Sequence, residues 1–135
     1  MLPDRGNMEP VPEMVVTLFS FGFKHNPPEA DTVVDVRFLP NPYYIPELSP
    51  GTGQDDDVAA YVLDNSLAGD FFSCLEPFLV FYIQGHAGTG RPEYRLAVGC
   101  TGGRHRSVAV VEYMKELLRK HGVAVETFHR DIDKV

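Results

Sequence analysis

Residues 99–108 read GCTGGRHRSV and indicate how the chain folds. The apolar segment YRLAVG at 94–99 leads into two glycines, and apolar residues at helical spacing follow over 106–121. This is the pattern of a strand, a tight turn and a helix. The segment VAVETFH at 123–129 predicts another strand, and a strand–helix–strand order favours an α/β fold with parallel strands.

Earlier segments extend this architecture. VVTLFSF at 15–21 and TVVDVRF at 32–38 are short apolar runs rich in strand formers, and residues 66–84 predict a helix that Pro77 kinks or restarts. We therefore expect one small α/β domain with a largely parallel four-stranded sheet flanked by helices. The connection between the first two strands is short, so antiparallel pairing of these two strands is kept as the alternative.

The predicted helix over 66–84 has its apolar residues at helical spacing, and Cys74 among them is interpreted as a small core residue. The spaced residues are Leu67, Phe71, Leu75, Phe78, Leu79 and Tyr82. Three acids at 55–57 indicate the first turn of a further helix rather than a metal-binding cluster.

Composition and charge limit what the chain can be expected to bind. The chain has 135 residues and a formal net charge of −7, which argues against a generic polyanion binder. Residues 1–90 hold three basic and thirteen acidic residues, whereas residues 91–135 hold nine basic and six acidic ones. An anion is therefore expected in the C-terminal third. Residues 1–13 predict a disordered lead-in to a domain over 14–135, and the absence of a signal-peptide pattern predicts a cytoplasmic protein.

No cofactor or metal site is expected from the motifs. The two cysteines form neither a C-x-x-C pair nor a cluster with zinc spacing. GHAGTG at 85–90 has the glycine spacing of a Walker A loop, but Arg91 and Pro92 replace the required Lys and Ser or Thr.

Cationic or titratable side chains follow each of the four predicted strands. In a parallel sheet the carboxyl ends of the strands meet at one edge, where ligands of α/β proteins bind. These side chains would form one rim at that edge, and a rim of positive charge in a net-acidic chain favours a phosphorylated ligand. The rim consists of Lys24, His25, Arg37, Arg104, His105, Arg106, His129 and Arg130.

The glycine turn is the most specific local motif. Gly102 and Gly103 lack side chains, so an oxyanion can approach the backbone amides of the turn and the positive end of the helix dipole. Arg106 can offer a bidentate fork to phosphate, and Ser107 can add a hydroxyl or cap the helix.

The same turn contains the pattern C-x5-R-S and resembles the phosphate loop of cysteine-dependent phosphatases. The resemblance implies that Cys100 is a nucleophile and that Arg106 holds the phosphate oxygens. Gly99 stands where tyrosine phosphatases carry a His, and Asp35 and Asp131 are the available candidates for a general acid. Whether the chain is an enzyme stays open, and a non-catalytic phosphate cradle is favoured.

Five ordered blocks resemble the C-terminal domain of the RapZ family of RNase adapter proteins, which are also called nucleotide-binding proteins. The blocks are SFGFKH at 20–25, DVRFLPNP at 35–42, TG at 52–53, GCTGGRHRSV at 99–108 and HRD at 129–131. The resemblance implies a domain that senses glucosamine-6-phosphate, binds small regulatory RNAs for an endoribonuclease and self-associates.

Two departures from the family bear on these expectations. The P-loop domain that precedes this domain in the family is not in the sequence, which therefore resembles the C-terminal domain standing alone. Residues 130–135, RDIDKV, carry no net charge where RNA-binding members carry a basic tail, which argues against RNA binding.

We therefore predict a regulatory domain that binds a phosphorylated metabolite such as an amino-sugar phosphate. The alternative is a phosphatase that uses Cys100. Expected partners are the phosphorylated small molecule, a second copy of the chain and, by resemblance, RNA and an endoribonuclease, with no membrane. The predicted ligand-binding residues are Cys100, Thr101, Gly102, Gly103, Arg104, His105, Arg106 and Ser107, with Arg37, Asn41 and His129 as neighbours, and Lys24, His25 and Arg130 as a secondary rim.

Overall fold

The computed structural model describes residues 13–134 as one sheet with three α-helices. All but the last residue of the predicted lead-in over 1–13 lies outside the described residues. Two short 3-10 turns occur at Phe23–His25 and Pro42–Tyr44. The strands are β1 Val15–Gly22, β2 Thr32–Asp35, β3 Glu93–Cys100 and β4 Ala124–His129, and the helices are α1 Asp56–Leu63, α2 Ser66–Ala87 and α3 Arg106–Lys120.

The sheet has the strand order β2-β3-β1-β4, and every neighbouring pair is parallel. This confirms the predicted α/β class. The alternative of an antiparallel first pair is wrong, because β3 lies between β1 and β2 and the two do not pair. A parallel neighbour needs a long crossover, and the chain supplies it through α1 and α2 before β3 returns to the sheet.

The strand register brings the carboxyl ends together. Gly22 at the end of β1 lies opposite Cys100 at the end of β3, and Asp35 at the end of β2 lies opposite Gly99. The loops that leave these strands therefore start from one edge of the sheet. That edge carries the candidate functional site.

The helices cover one face of the sheet. α3 is amphipathic, and its side chains Val108, Val111, Met114 and Leu118 are fully buried against the sheet. Each such aliphatic side chain contributes about 1.5–3 kcal/mol on burial. The opposite face holds a smaller cluster of Phe19, Phe21 and Ala97, covered by Phe23 and Ala30.

β2 ends at Asp35, three residues before the predicted end. The Asp35 carboxylate accepts hydrogen bonds from the backbone N–H of Arg37, at 2.9 Å, and from the Arg37 guanidinium. A side chain that captures a backbone N–H two residues later turns the chain, and this ends the ladder.

α2 runs without interruption from Ser66 to Ala87, with Pro77 inside it. Its buried side chains are Ala68, Phe72, Leu79 and Ile83. Three of its side chains expected in the core are instead exposed, namely Leu67, Phe78 and Cys74. The helix is apolar over a wider arc than the core covers. Its length and mean hydropathy meet the composition criteria for a membrane span, and 22% of its most apolar window is buried in the domain.

Candidate functional site

The loop between β3 and α3 lies against the end of β1. Gly103 in this loop has φ +78°, and a Cβ there would lie 2.5 Å from the backbone nitrogen of Gly22. Gly103 therefore meets two requirements that exclude a side chain, a left-handed backbone and a close backbone approach. The loop conformation depends on this glycine.

Asp131 fixes the same edge from the C-terminal side. It is fully buried and accepts hydrogen bonds from the Gly22 backbone N–H at 2.7 Å and from Arg130 at 2.8 Å, while Lys134 lies 2.6 Å away. Burial acts to raise the pKa of Asp131, but these hydrogen bonds outweigh it and hold that pKa well below the ordinary value of 3.8. Asp131 is therefore an ionised anchor for the segment after β4.

Arg104 and His105 attach the loop to residues 49–51. The Arg104 guanidinium donates to the carbonyls of Gly51 at 3.0 Å, of Pro50 at 2.6 Å and of Ile132 at 3.2 Å. His105 Nε2 lies 3.0 Å from the Ser49 carbonyl, and since a carbonyl only accepts, this nitrogen carries the proton. Both side chains hold the wall of the site.

Arg106 is the first residue of α3 and is 6% exposed. Its Nη1 donates to the carbonyl of Arg37 at 2.6 Å and reaches that of Leu39 at 3.4 Å, and its Nη2 lies 3.4 Å from Thr101 Oγ1. Its Nε is buried and finds no hydrogen-bond acceptor in residues 13–134. A buried cationic donor without an acceptor is costly, by about 1–3 kcal/mol or more.

A cavity of about 560 Å³ opens beside Arg106 at the N-terminus of α3. Its volume is in the range of about 300–1,000 Å³ that small-molecule sites occupy. It has four cationic side chains and, among the described residues that line it, no carboxylate. The lining residues are Lys24, Asn41, Tyr43, Tyr44, Ser49, Pro50, Cys100, Thr101, Gly102, Arg104, His105, Arg106 and Lys134.

Some residues of the cavity were not predicted from the sequence. Tyr43 and Tyr44 are 64% and 76% exposed, and the 3-10 turn at Pro42–Tyr44 presents them at the rim. Asn41 Oδ1 caps this turn by accepting from the Tyr43 backbone N–H. Lys134 joins the cavity because the segment after β4 folds back onto Asp131. Two adjacent tyrosines in a proline-rich loop were the sequence feature that could have predicted aromatic residues at the opening of the cavity.

Other predicted residues lie outside the lining. Arg37 pairs with Asp35 at 2.7 Å and stacks over the Phe23 ring at 4.0 Å. His129 points under α3, where its two ring nitrogens lie 2.8 Å from Ser20 Oγ and 2.9 Å from Glu112 Oε2. The cavity lining does not include Gly103, Ser107, His25, Arg130, Arg37 or His129.

The cysteine of the loop lies in the cavity lining. Cys100 is buried, and its Sγ lies 3.1 Å from Ser107 Oγ. A phosphatase also needs an acid to protonate the leaving group. Asp131 is fully buried and ionised, Asp35 is paired with Arg37, and neither is among the described residues that line the cavity.

The chain is similar to known proteins over most of its length. A family model described as the RapZ C-terminal domain matches residues 14–133. A nucleotide-binding protein of Pelobacter propionicus is 45% identical over 122 residues, which cover 90% of this chain and 42% of the relative. One from Limosilactobacillus fermentum is 46% identical over 120 residues, which cover 88% of this chain and 42% of the relative.

A nucleotide-binding protein of Thermotoga sp. strain RQ2 is 46% identical over 121 residues, which cover 89% of this chain and 43% of the relative. The chain thus spans about two fifths of the length of the curated relatives it matches.

Proposed function

Because the chain belongs to the RapZ C-terminal domain family, we propose that it is a regulatory domain that binds a phosphorylated small molecule. The family assignment confirms the resemblance carried by the five sequence blocks. The name nucleotide-binding protein is that of relatives more than twice as long as the matched region. For this chain the proposal rests on its own cavity, with glucosamine-6-phosphate as the first ligand to test.

The observation that carries the proposal is Arg106, which lines the cavity and whose buried Nε has no acceptor among the described residues. A phosphate in the cavity would meet the positive end of the α3 dipole and the charge of the Arg106 guanidinium. Arg104 uses three of its five N–H donors on carbonyls, one from each guanidinium nitrogen, so we assign it mainly the role of a positive charge near the ligand. Lys24 and Lys134 add two further positive charges at the rim.

The rest of the cavity offers aromatic faces and neutral hydrogen-bonding groups to the ring of a sugar phosphate. Tyr43 and Tyr44 offer exposed aromatic faces, and Asn41 and Ser49 offer neutral hydrogen-bonding groups. This combination of aromatic surface with a few placed polar groups is typical of small-molecule sites. A hexose phosphate fits this chemistry and this volume.

The enzyme alternative, a phosphatase that uses Cys100, is less well supported. The described residues around the cavity supply the anion cradle but no carboxylic acid for the leaving group. We therefore propose binding without turnover.

The second part of the proposal concerns partners and rests on the family alone. Ligand occupancy would bias contact with an RNA and an endoribonuclease in the cytoplasm. Two cations that follow β4, Arg130 and Lys134, are paired with Asp131, so an RNA would have to bind elsewhere on the surface or compete for them.

A thermal-shift titration tests the proposal. A ligand that binds the native state raises the melting temperature by mass action. We expect a rise with glucosamine-6-phosphate, a smaller rise with inorganic phosphate and none with glucosamine. Equal curves with all three compounds at millimolar concentration would contradict a phosphate-receiving site.

A further inference from the structure

Cys100 places a thiol at the wall of the cavity. It is the last residue of β3, is 3% exposed and belongs to the cavity lining, and its Sγ lies 3.1 Å from Ser107 Oγ. The glycine turn that follows it is open, because a Cβ added at Gly102 would have only the Lys24 Cε, at 3.9 Å, as a neighbour within 4 Å. A small molecule in the cavity would therefore lie beside Cys100.

The cavity around Cys100 holds positive charge that the protein leaves largely uncompensated. Lys24, Arg104 and Arg106 line it, and none of the three forms an ion pair within the described part of the chain. The fourth cation, Lys134, is the one that is paired with a carboxylate. A cleft lined by one sign of charge concentrates ions of the opposite sign and raises their association rates by about 10–1,000-fold. Small anions are therefore brought to the thiol in preference to neutral molecules.

A second feature of the cavity, independent of the thiol, also points to an anion. Arg106 is 6% exposed and lines the cavity, and its Nε has no acceptor among the described residues. Buried side-chain donors are nearly always hydrogen-bonded, so an unpaired one in the wall of a cavity favours a bound anion over a neutral molecule. Guanidinium groups bind carboxylates as well as phosphates. The site therefore suits a carboxylate-bearing reagent beside the thiol.

We propose that Cys100 is a covalent modification site for small carboxylate-bearing electrophiles of the α,β-unsaturated dicarboxylate class, of which fumarate is the simplest probe. The attacking form of a cysteine is the thiolate. In the addition, a bond forms between Sγ and one alkene carbon and the alkene π bond breaks. The other alkene carbon takes up a proton, which balances the proton that the thiol has lost to solvent. The step needs no oxidant, reductant or leaving group.

The adduct regulates the same site, a consequence that rests on the proposed function. The carboxylates of the added group stay in the cavity, where they meet the cations that would otherwise receive a phosphate. Modification and ligand binding then exclude each other. The modified domain would be held in a state that the phosphorylated ligand does not reach.

Cys74 provides an internal reference in the same chain. It is exposed on α2, a helix that contains neither Lys nor Arg. Asp70 precedes it by about one helical turn, and Glu76 follows it by two residues. An anionic reagent therefore has no electrostatic advantage at Cys74, and a comparison of the two thiols cancels differences in the intrinsic reactivity of the reagents.

Competitive labelling with iodoacetate and iodoacetamide tests the site, because the two reagents differ mainly in charge. Peptide mass spectrometry of the folded protein gives the ratio of the two products at each cysteine. We expect the iodoacetate-to-iodoacetamide ratio at Cys100 to be at least about tenfold the ratio at Cys74, and to fall toward it in about 0.5 M KCl. Fumarate should then add to Cys100 at least about tenfold faster than to Cys74.

Two variants separate the charge of the cavity from the overall charge of the protein. Lys24→Gln removes an exposed cation from the lining and should lower the ratio at Cys100 at least about threefold. Arg119→Gln removes a half-exposed cation of α3 that is absent from the lining, and it should leave the ratio unchanged. Circular dichroism checks that both variants keep the fold.

Equal ratios at the two cysteines, or a ratio at Cys100 that Lys24→Gln leaves unchanged, would overturn the selection of anions. A Cys100 that reacts in urea but with neither reagent in the folded protein would overturn the modification site as a whole. So would a fumarate adduct that forms on Cys74 as fast as on Cys100.

Protection by glucosamine-6-phosphate separates the modification site from the proposed function. Calorimetry reports whether this ligand binds, and labelling at saturating ligand reports whether it shields Cys100. Binding with at least about fivefold slower modification of Cys100, and unchanged modification of Cys74, supports mutual exclusion. Binding without protection overturns the exclusion alone, whereas absence of binding overturns the proposed function and leaves the modification site to the labelling test.

Discussion

The carboxylate of Asp131 accepts a hydrogen bond of 2.7 Å from the backbone amide of Gly22, which lies 109 positions earlier in the chain. The bond ties the segment after β4 to the end of β1, beside the loop that starts α3. It also places Lys134 at the cavity. The site is therefore assembled by a buried carboxylate that does not itself line it.

Asp131→Ala should destabilise the fold by about 3 kcal/mol, because it leaves the Gly22 amide unsatisfied and two cations without their partner. The pKa of Asp131 is held below 3.8 in the folded state, so its contribution is complete above about pH 4 and is lost as the pH falls further. Urea denaturation at pH 7 and pH 3 should show a smaller difference between the two proteins at pH 3. The exposed Asp133→Ala is the control, and a similar loss in both variants would contradict the anchor role.

Gly103→Ala should cost about 2–4 kcal/mol, because the new Cβ meets the Gly22 backbone as well as an unfavourable φ. Gly90→Ala is a matched control, since Gly90 has φ +82° and a methyl group added there would meet no atom within 4 Å. The control should cost about 1–2 kcal/mol from the backbone conformation alone. Equal losses in chemical denaturation would show that the close approach to β1 is unimportant.

Burial lowers the pKa of His105 below its ordinary value of 6.5, more than the hydrogen bonds to the carbonyls of Ser49 and Gly51 raise it. The unfolded chain therefore takes up this proton near pH 6.5 while the folded chain does not. Stability should be complete above about pH 6.5 and decline as the pH falls below it. His105→Gln should show a shallower decline over the same range in thermal unfolding, and parallel curves would contradict a buried neutral imidazole.

Cys100→Ser should bind glucosamine-6-phosphate with an affinity within about threefold of the wild type, since the cradle donors come from Arg106 and the backbone. The wild type should hydrolyse p-nitrophenyl phosphate no faster than buffer does. Turnover that Cys100→Ser abolishes would establish the phosphatase instead.

The strands and the glycine turn could be predicted because they depend on local signals, namely apolar runs bounded by Gly and Pro. The sequence did not predict which face of the sheet each side chain at a strand end points to. His129 lies opposite Ser20 in the register and faces α3, although it follows an apolar run as the rim residues do. Successive side chains of a strand point to opposite faces, so a shift of one residue decides which groups reach a site.

The sequence also did not predict which hydrogen bonds each cationic side chain of the loop makes. Arg104 and Arg106 are two residues apart in one motif, yet three backbone carbonyls occupy Arg104 while Arg106 keeps a buried donor. The difference arises from where residues 37–39 and 49–51 run in the folded chain. The exposed arc of α2 was missed for a related reason, because helical spacing identifies apolar positions but not how many of them the core can cover.

The most direct test of the central claim is isothermal titration calorimetry of glucosamine-6-phosphate into the wild type, Arg106→Ala and Arg119→Ala. Arg119 lies on the same helix, is half exposed and is remote from the cavity lining, so its loss controls for charge. We predict one site per chain, an affinity at least about tenfold weaker in Arg106→Ala and an unchanged affinity in Arg119→Ala. Equal affinity in all three proteins would contradict the assignment of Arg106 as the phosphate-binding residue.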